Sequence, residues 1–212
     1  MSPEQRAWLR EELARRETRQ AAFRIVCFHK PPWSKFWNGG GHTQEPFVIQ
    51  EWVPLFQSGG VDLVVCGHEH AYHRGETNGV VYVVSGGGGG AIDTERVARW
   101  SHVRVEATRH HFDIMTVNGR RLGWETYDTA RNLLDEFTLV SRVPELEITR
   151  SPDGRPRLAV WGRPGLRYEI QVSGALGAWR KAGEVVVTRG TEPARWELGA
   201  GEDAQWFRVV VP

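Results

Sequence analysis

Apolar and polar positions change rhythm several times along this chain, and each change marks a predicted element. Ser2-Pro-Glu-Gln5 is a helix start, with Ser2 as N-cap, Pro3 in the first turn and Gln5 at the capping-box position. The spacing behind it predicts a helix to about Thr18, with Trp8, Leu9 and Leu13 turned to a core. Phe23 to Phe28 reads as a strand, and Glu45 to Gln57 as a helix through Phe47, Val48, Trp52, Leu55 and Phe56 despite Pro54. Val61 to Val65 is a short apolar run between Gly59-Gly60 and Gly67, the pattern of a strand buried on both faces. Val80 to Ser85 repeats that pattern and runs into five glycines, Gly86 to Gly90.

From Trp100 to Val140 the rhythm becomes strict alternation: Ser101–Val105, His110–Val117, Arg121–Tyr127 and Leu134–Leu139, with Asn118-Gly119 as a hairpin turn. These segments predict an antiparallel meander closing a second sheet. At Ser141-Arg-Val-Pro144 the composition shifts. Beyond it Leu158–Trp161, Tyr168–Val172, Glu184–Val187, Arg195–Leu198 and Trp206–Val211 alternate between turns rich in Gly, Pro and Asp, as in a small β-sandwich. The division expected is 1–141 and 145–212.

Candidate chemistry clusters at the ends of the buried strands, where open α/β sheets bind ligands. The Val61–Val65 strand delivers His68 and His70 just after Gly67, and neutral imidazole is the commonest metal ligand. His29 closes the Phe23–Phe28 strand and precedes Pro31-Pro32, which order the loop that follows. His42 sits in a loop after Gly39-Gly40-Gly41. The glycine run after Ser85 lacks the Gly-Lys-Ser/Thr of a phosphate loop and reads as backbone passing close to the site floor. His110 and His111 would face opposite ways on a strand, and His102 is read as structural.

Gly67-His68-Glu69-His70-Ala71-Tyr72-His73-Arg74 resembles the Gly-His-x-His-x-Tyr-x-Arg segment of calcineurin-like metallophosphoesterases, in the purple acid phosphatase branch. The resemblance runs from about Pro3 to Val140. It includes Gln5-x-x-Trp8-Leu9-x-x-x-Leu13 and His29-Lys-Pro31, with Phe28 where a glycine is frequent and His73 where glutamate is frequent. It implies the C-terminal half of the family's α/β/β/α sandwich, followed here by a small all-β sandwich, loosely similar to fibronectin-like accessory modules. It further implies His29, His68 and His70 as ligands of two divalent or trivalent metal ions (Fe, Zn or Mn), His42 as a phosphate contact, and Tyr72 and Arg74 in support. Asp-x-His, Gly-Asp-x-x-Asp and Gly-Asn-His, which supply the other ligands in the family, are absent from the sequence. Three imidazoles suffice for one zinc with an open position, not for a bridged pair. The expectation is therefore an incomplete phosphoesterase acting on phosphate esters, its N-terminal half supplied by the same or another polypeptide. The alternative is a non-catalytic remnant whose β-sandwich binds a partner.

Bulk properties narrow the remainder. A net charge of +1 gives no basic surplus for nucleic acid, and no apolar run approaches a membrane span. Met1 to Arg6 carries no signal-peptide core, and export to the periplasm or medium is implied only by the family. Ten tryptophans fit strand-rich packing. Cys27 and Cys66 are the only cysteines, expected as small buried residues on neighbouring strands, with a disulfide between them disfavoured by geometry.

Overall fold

The computed structural model describes residues 2–37, 44–152, 154, 156–175, 177–189, 192–197 and 206–211. His42 lies outside them. The chain divides into two compact units, 1–118 with 122–139, and 119–121 with 140–212.

Helix α1 (Pro3–Ala14) starts as expected: the Ser2 hydroxyl accepts the Gln5 N–H, and the Gln5 side chain returns to the Ser2 N–H. It stops earlier than the spacing predicts. Arg15 is extended, and α2 (Arg16–Gln20) follows as a separate turn. Leu9 and Leu13 are buried, whereas Trp8 is 62% exposed, a correction to its expected core position. The second helical stretch contains a π-helical turn, Val48–Trp52, leading into α3 (Val53–Ser58). Pro54 offers no N–H and its ring crowds the carbonyl one turn back, and the widened turn just before it relieves that crowding.

Strands β1 (Ile25–Phe28), β2 (Leu63–Cys66), β3 (Tyr72–Thr77), β4 (Val80–Ser85) and β5 (Val103–Ala107) form one sheet in the order β1-β2-β4-β3-β5. The β1-β2-β4 part is parallel and β3 is antiparallel to both its neighbours. Strand β3 has no apolar signature in sequence. It exists because Asn78 and Gly79, both at positive φ, turn it tightly back onto β4. Strand β5 joins this first sheet, which corrects the single meander expected from Ser101 onward. Only β6 (His111–Asn118), β7 (Arg121–Asp128) and β8 (Leu133–Val140) form the meander.

The continuous apolar runs are explained by two coverings. Val64, Cys66, Val80, Tyr82 and Val84 pack with Leu9, Leu13, Val48, Trp52 and Phe56 of the helical segments. Their sheet neighbours Leu63, Val81 and Val83 pack with Leu122 and Trp124 of β7. Each fully buried side chain of this kind contributes about 1.5–3 kcal/mol.

The second unit holds two three-stranded sheets. Strands β9 (Glu145–Arg150), β10 (Pro156–Trp161) and β13 (Ala194–Glu197) form one, and β11 (Arg167–Ser173), β12 (Arg180–Val186) and β14 (Trp206–Val210) the other. Leu158, Val160, Tyr168, Ile170, Val185 and Val187 fill the space between them. The Tyr168 hydroxyl is satisfied, accepting the Arg163 N–H and donating to the Arg142 carbonyl. Trp179 is not part of that core; the Arg208 guanidinium lies 4.4 Å from its ring centre.

Both cysteines are free. Cys27 pairs with Val65 and Phe28 with Cys66, so the two thiols are one residue out of step and point to opposite faces of the sheet. Cys27 is exposed on the edge strand, which corrects its expected burial, and burial pushes the Cys66 thiol far above its ordinary value. Iodoacetamide at mildly alkaline pH should modify Cys27 alone in the native chain, and both thiols after denaturation, as read by peptide mass spectrometry. Fast native modification of Cys66 would contradict this packing.

Candidate metal centre

Three strand ends converge on one rim of the first sheet. The β2 end continues as Gly67, His68, Glu69 and His70, the β1 end as His29, and the β4 end as the glycine run. His68 has φ of 69°, a left-handed backbone that a histidine occupies only at a cost of about 1–3 kcal/mol. Its Nδ1 lies 2.9 Å from Nε2 of His29, near enough for one shared hydrogen. Its Nε2 is buried and has no partner among the described residues. The Trp37 ring stands edge-on with a centroid distance of 4.2 Å. Burial holds the His68 pKa below its ordinary value, and the charges of His29 and Lys30 push the same way. A strained backbone, a desolvated neutral ring and an orphaned ring nitrogen together fit a site that presents a lone pair to a cation.

His70 is fixed differently. Its backbone N–H donates to Asp93, and its Nδ1 lies 2.8 Å from the Ala91 carbonyl. A carbonyl can only accept, so Nδ1 carries the hydrogen and Nε2 keeps a free lone pair. A side chain on Gly90 would run into the His70 ring, and one on Gly86 would strike the Glu69 carbonyl. Gly86 and Gly90 are thus needed where the backbone passes close to Glu69 and His70. Among the described residues no three His, Cys, Asp or Glu side chains stand close enough to hold one ion. His29 and His68 are brought together, and His70 stands on the same loop without joining them.

Tyr72 and Arg74 point away from this rim into the space between the sheets of the first unit. Asp135 on β8 accepts the Tyr72 hydroxyl at 2.6 Å, Arg74 Nε at 2.6 Å and a terminal Arg74 nitrogen at 2.9 Å. Asp135 was not identifiable from sequence, because one aspartate in an alternating strand looks like any solvent-facing position. Beside it, the Ser85 hydroxyl lies between His111 and Asp113, and Thr126 donates to Asp113. His111 is therefore a buried structural histidine. His102 is half-buried with its ring 4.5 Å from that of Trp33, and desolvation lowers its pKa.

Residues 1–72 match the calcineurin-like phosphoesterase family. An uncharacterised protein of Mycobacterium tuberculosis (strain CDC 1551 / Oshkosh) is 36% identical over 112 residues, covering 41% of this chain and 21% of that protein. Purple acid phosphatase 18 of Arabidopsis thaliana is 31% identical over 148 residues, 64% of this chain and 32% of its own length. The chain thus spans less than a third of these relatives. A purple acid phosphatase from yellow lupin (Lupinus luteus) seeds superposes with a TM-score of 0.57 at 21% identity, over 66% of this chain and 28% of that one, and shares its fold.

Proposed function

Because the chain belongs, through its first unit, to the calcineurin-like metallophosphoesterases of the purple acid phosphatase branch, we propose that it forms part of a two-metal site that hydrolyses phosphate esters. The observation that carries this is His68: a left-handed, half-buried histidine whose Nε2 has no partner among the described residues, 2.9 Å from a second imidazole. His68 and His70 would each offer Nε2, and His29 would join once its contact with His68 opens. Two bound ions (Fe, Zn or Mn) supply an activated hydroxide and neutralise the phosphoryl oxygens. His42 is proposed to hold the phosphate by donating a hydrogen bond.

The remaining ligands are proposed to come from a further segment, on the same polypeptide or a separate one. Its seat is the outer edge of β1 together with β6, where Phe112, Ile114, Met115 and Val117 are 45–54% exposed. If the assembled protein follows its family it acts outside the cytoplasm; no helix among the described residues is long and apolar enough to cross a membrane. The second unit is proposed to be an accessory β-sandwich. A non-catalytic remnant is the second reading, favoured by the lack of a three-ligand cluster among the described residues.

Hydrolysis of p-nitrophenyl phosphate and its bis ester, with Zn(II), Mn(II) or Fe(III), distinguishes these readings. The 212-residue chain should bind about one ion without turnover, and the product of the complete reading frame should turn over. Tight two-ion binding by the 212 residues alone would show that no ligand is missing. A complete frame that binds metal without hydrolysis would favour the remnant.

A further inference from the structure

Glu69 lies between the two loop histidines and its side chain is completely buried. An ionised carboxylate in such a place costs several kcal/mol unless its partners compensate. One oxygen, Oε2, accepts the Lys35 N–H at 2.7 Å. Lys35 belongs to the segment that leaves His29 and carries Trp37, the ring packed on His68. The other oxygen, Oε1, lies 3.2 Å from Nε2 of His73 on β3, near but out of line for a hydrogen bond. His73 is itself buried, beside an enclosed cavity also lined by Trp33, Tyr82 and His102. The Glu69 backbone is gripped as well: its N–H reaches the Gly67 carbonyl, and its carbonyl sits against Gly86.

One carboxylate therefore links the His68–His70 turn to the His29 segment by a hydrogen bond and lies against His73 of β3. Neither contact is local to the turn itself. Without that carboxylate the turn keeps its backbone ties, Gly67 N–H to the His29 carbonyl and His70 N–H to Asp93, but loses the side-chain hydrogen bond that holds it to the Lys35 segment. The segment at Lys35 is held a second time from the other side, because the Lys35 carbonyl accepts the N–H groups of Val97 and Ala98. That strip begins at Ala91 and Asp93, which fix His70. The ring of contacts around the histidines closes through Glu69.

From this geometry we infer that Glu69 is a positioning residue: bonded to the Lys35 N–H and facing His73, it sets the spacing of His29, His68 and His70 for metal. The inference rests on the reading of those histidines as ligands.

Cobalt(II) titration of the 212-residue chain tests it, with affinity and the visible absorption bands as readouts. Glu69→Gln keeps an acceptor for the Lys35 N–H and puts an amide NH2 in place of the carboxylate oxygen facing His73, whereas Glu69→Leu removes both oxygens. The expected result is a graded loss: Glu69→Leu weakens binding about 10–100-fold, the range for loss of an outer-sphere partner, and Glu69→Gln less, both with shifted visible bands. Should Glu69→Leu fail to fold, Glu69→Gln decides alone. Unchanged affinity and unchanged bands in Glu69→Gln, with the parent binding cobalt, would overturn the positioning role and leave the metal reading standing. No cobalt binding by the parent would overturn both.

Discussion

Replacing His68 by glycine should lower cobalt or zinc affinity by at least roughly 100-fold, beyond the 10–100-fold typical of losing only an outer-sphere partner, while leaving the stability of the metal-free chain undiminished. The second half of this expectation separates a ligand from a structural histidine. Substitution sacrifices the contact with His29, worth about 0.5–1.5 kcal/mol, and the edge-on contact with Trp37, worth about 0.5–1.5 kcal/mol. It also removes a left-handed histidine, at about 1–3 kcal/mol, and a buried nitrogen without a partner among the described residues, at about 1–3 kcal/mol. With about 0.5–1 kcal/mol for the added freedom of glycine in the unfolded chain, the losses come to about 1.5–4 kcal/mol and the gains to about 2–6 kcal/mol, so thermal or urea unfolding without metal should show no appreciable loss of stability. A loss of several kcal/mol with metal affinity intact would mean that His68 is held in place for the fold.

Removing the carboxylate at Asp135 should be the most damaging single change to the first unit. Asp135→Ala leaves the half-buried Arg74 without its bidentate partner and the buried Tyr72 hydroxyl without its acceptor. Asp135 is 5% exposed in this pair and Arg74 20%, and breaking one side of a buried pair typically costs about 3–5 kcal/mol. Urea unfolding should report that loss, with Asp135→Asn less affected because it retains an acceptor for Tyr72. The exposed pair Arg167–Glu184 in the second unit is the internal comparison: solvent screens it, and Glu184→Gln should leave the unfolding midpoint nearly unchanged. If Asp135→Ala were as mild, the link between β3 and β8 would not be holding the first sheet to the second. The same link bears on the metal centre. Tyr72 begins two residues after His70, and its anchoring to β8 fixes where the histidine turn must end.

Much of this arrangement is legible in the residues alone, because it rests on local rules. The capping box at Ser2 and Gln5, the apolar runs of β2 and β4, the Asn118-Gly119 turn and the short strands after Pro144 are each dictated by hydrogen-bonding capacity or by side-chain period. His29, His68 and His70 stand out as chemistry-bearing positions because each follows a buried strand. Other features have no local signal. Strand β3 is polar and becomes a strand only by pairing on both sides, with β4 and β5. Trp8 falls at helical spacing yet faces solvent, since a helix ending at Ala14 has only Leu9 and Leu13 to bury. The early stop at Arg15 has no breaker residue to announce it. Asp135, Asp93 and Glu69 acquire their roles from partners 23 to 63 residues away. Sequence by itself determined β1, β2 and β4 and the histidines that follow β1 and β2, because period, glycine and proline act over a few neighbouring residues. Only the tertiary structure decided which polar groups hold those histidines in place, because a buried carboxylate takes its meaning from the donor it meets across the fold.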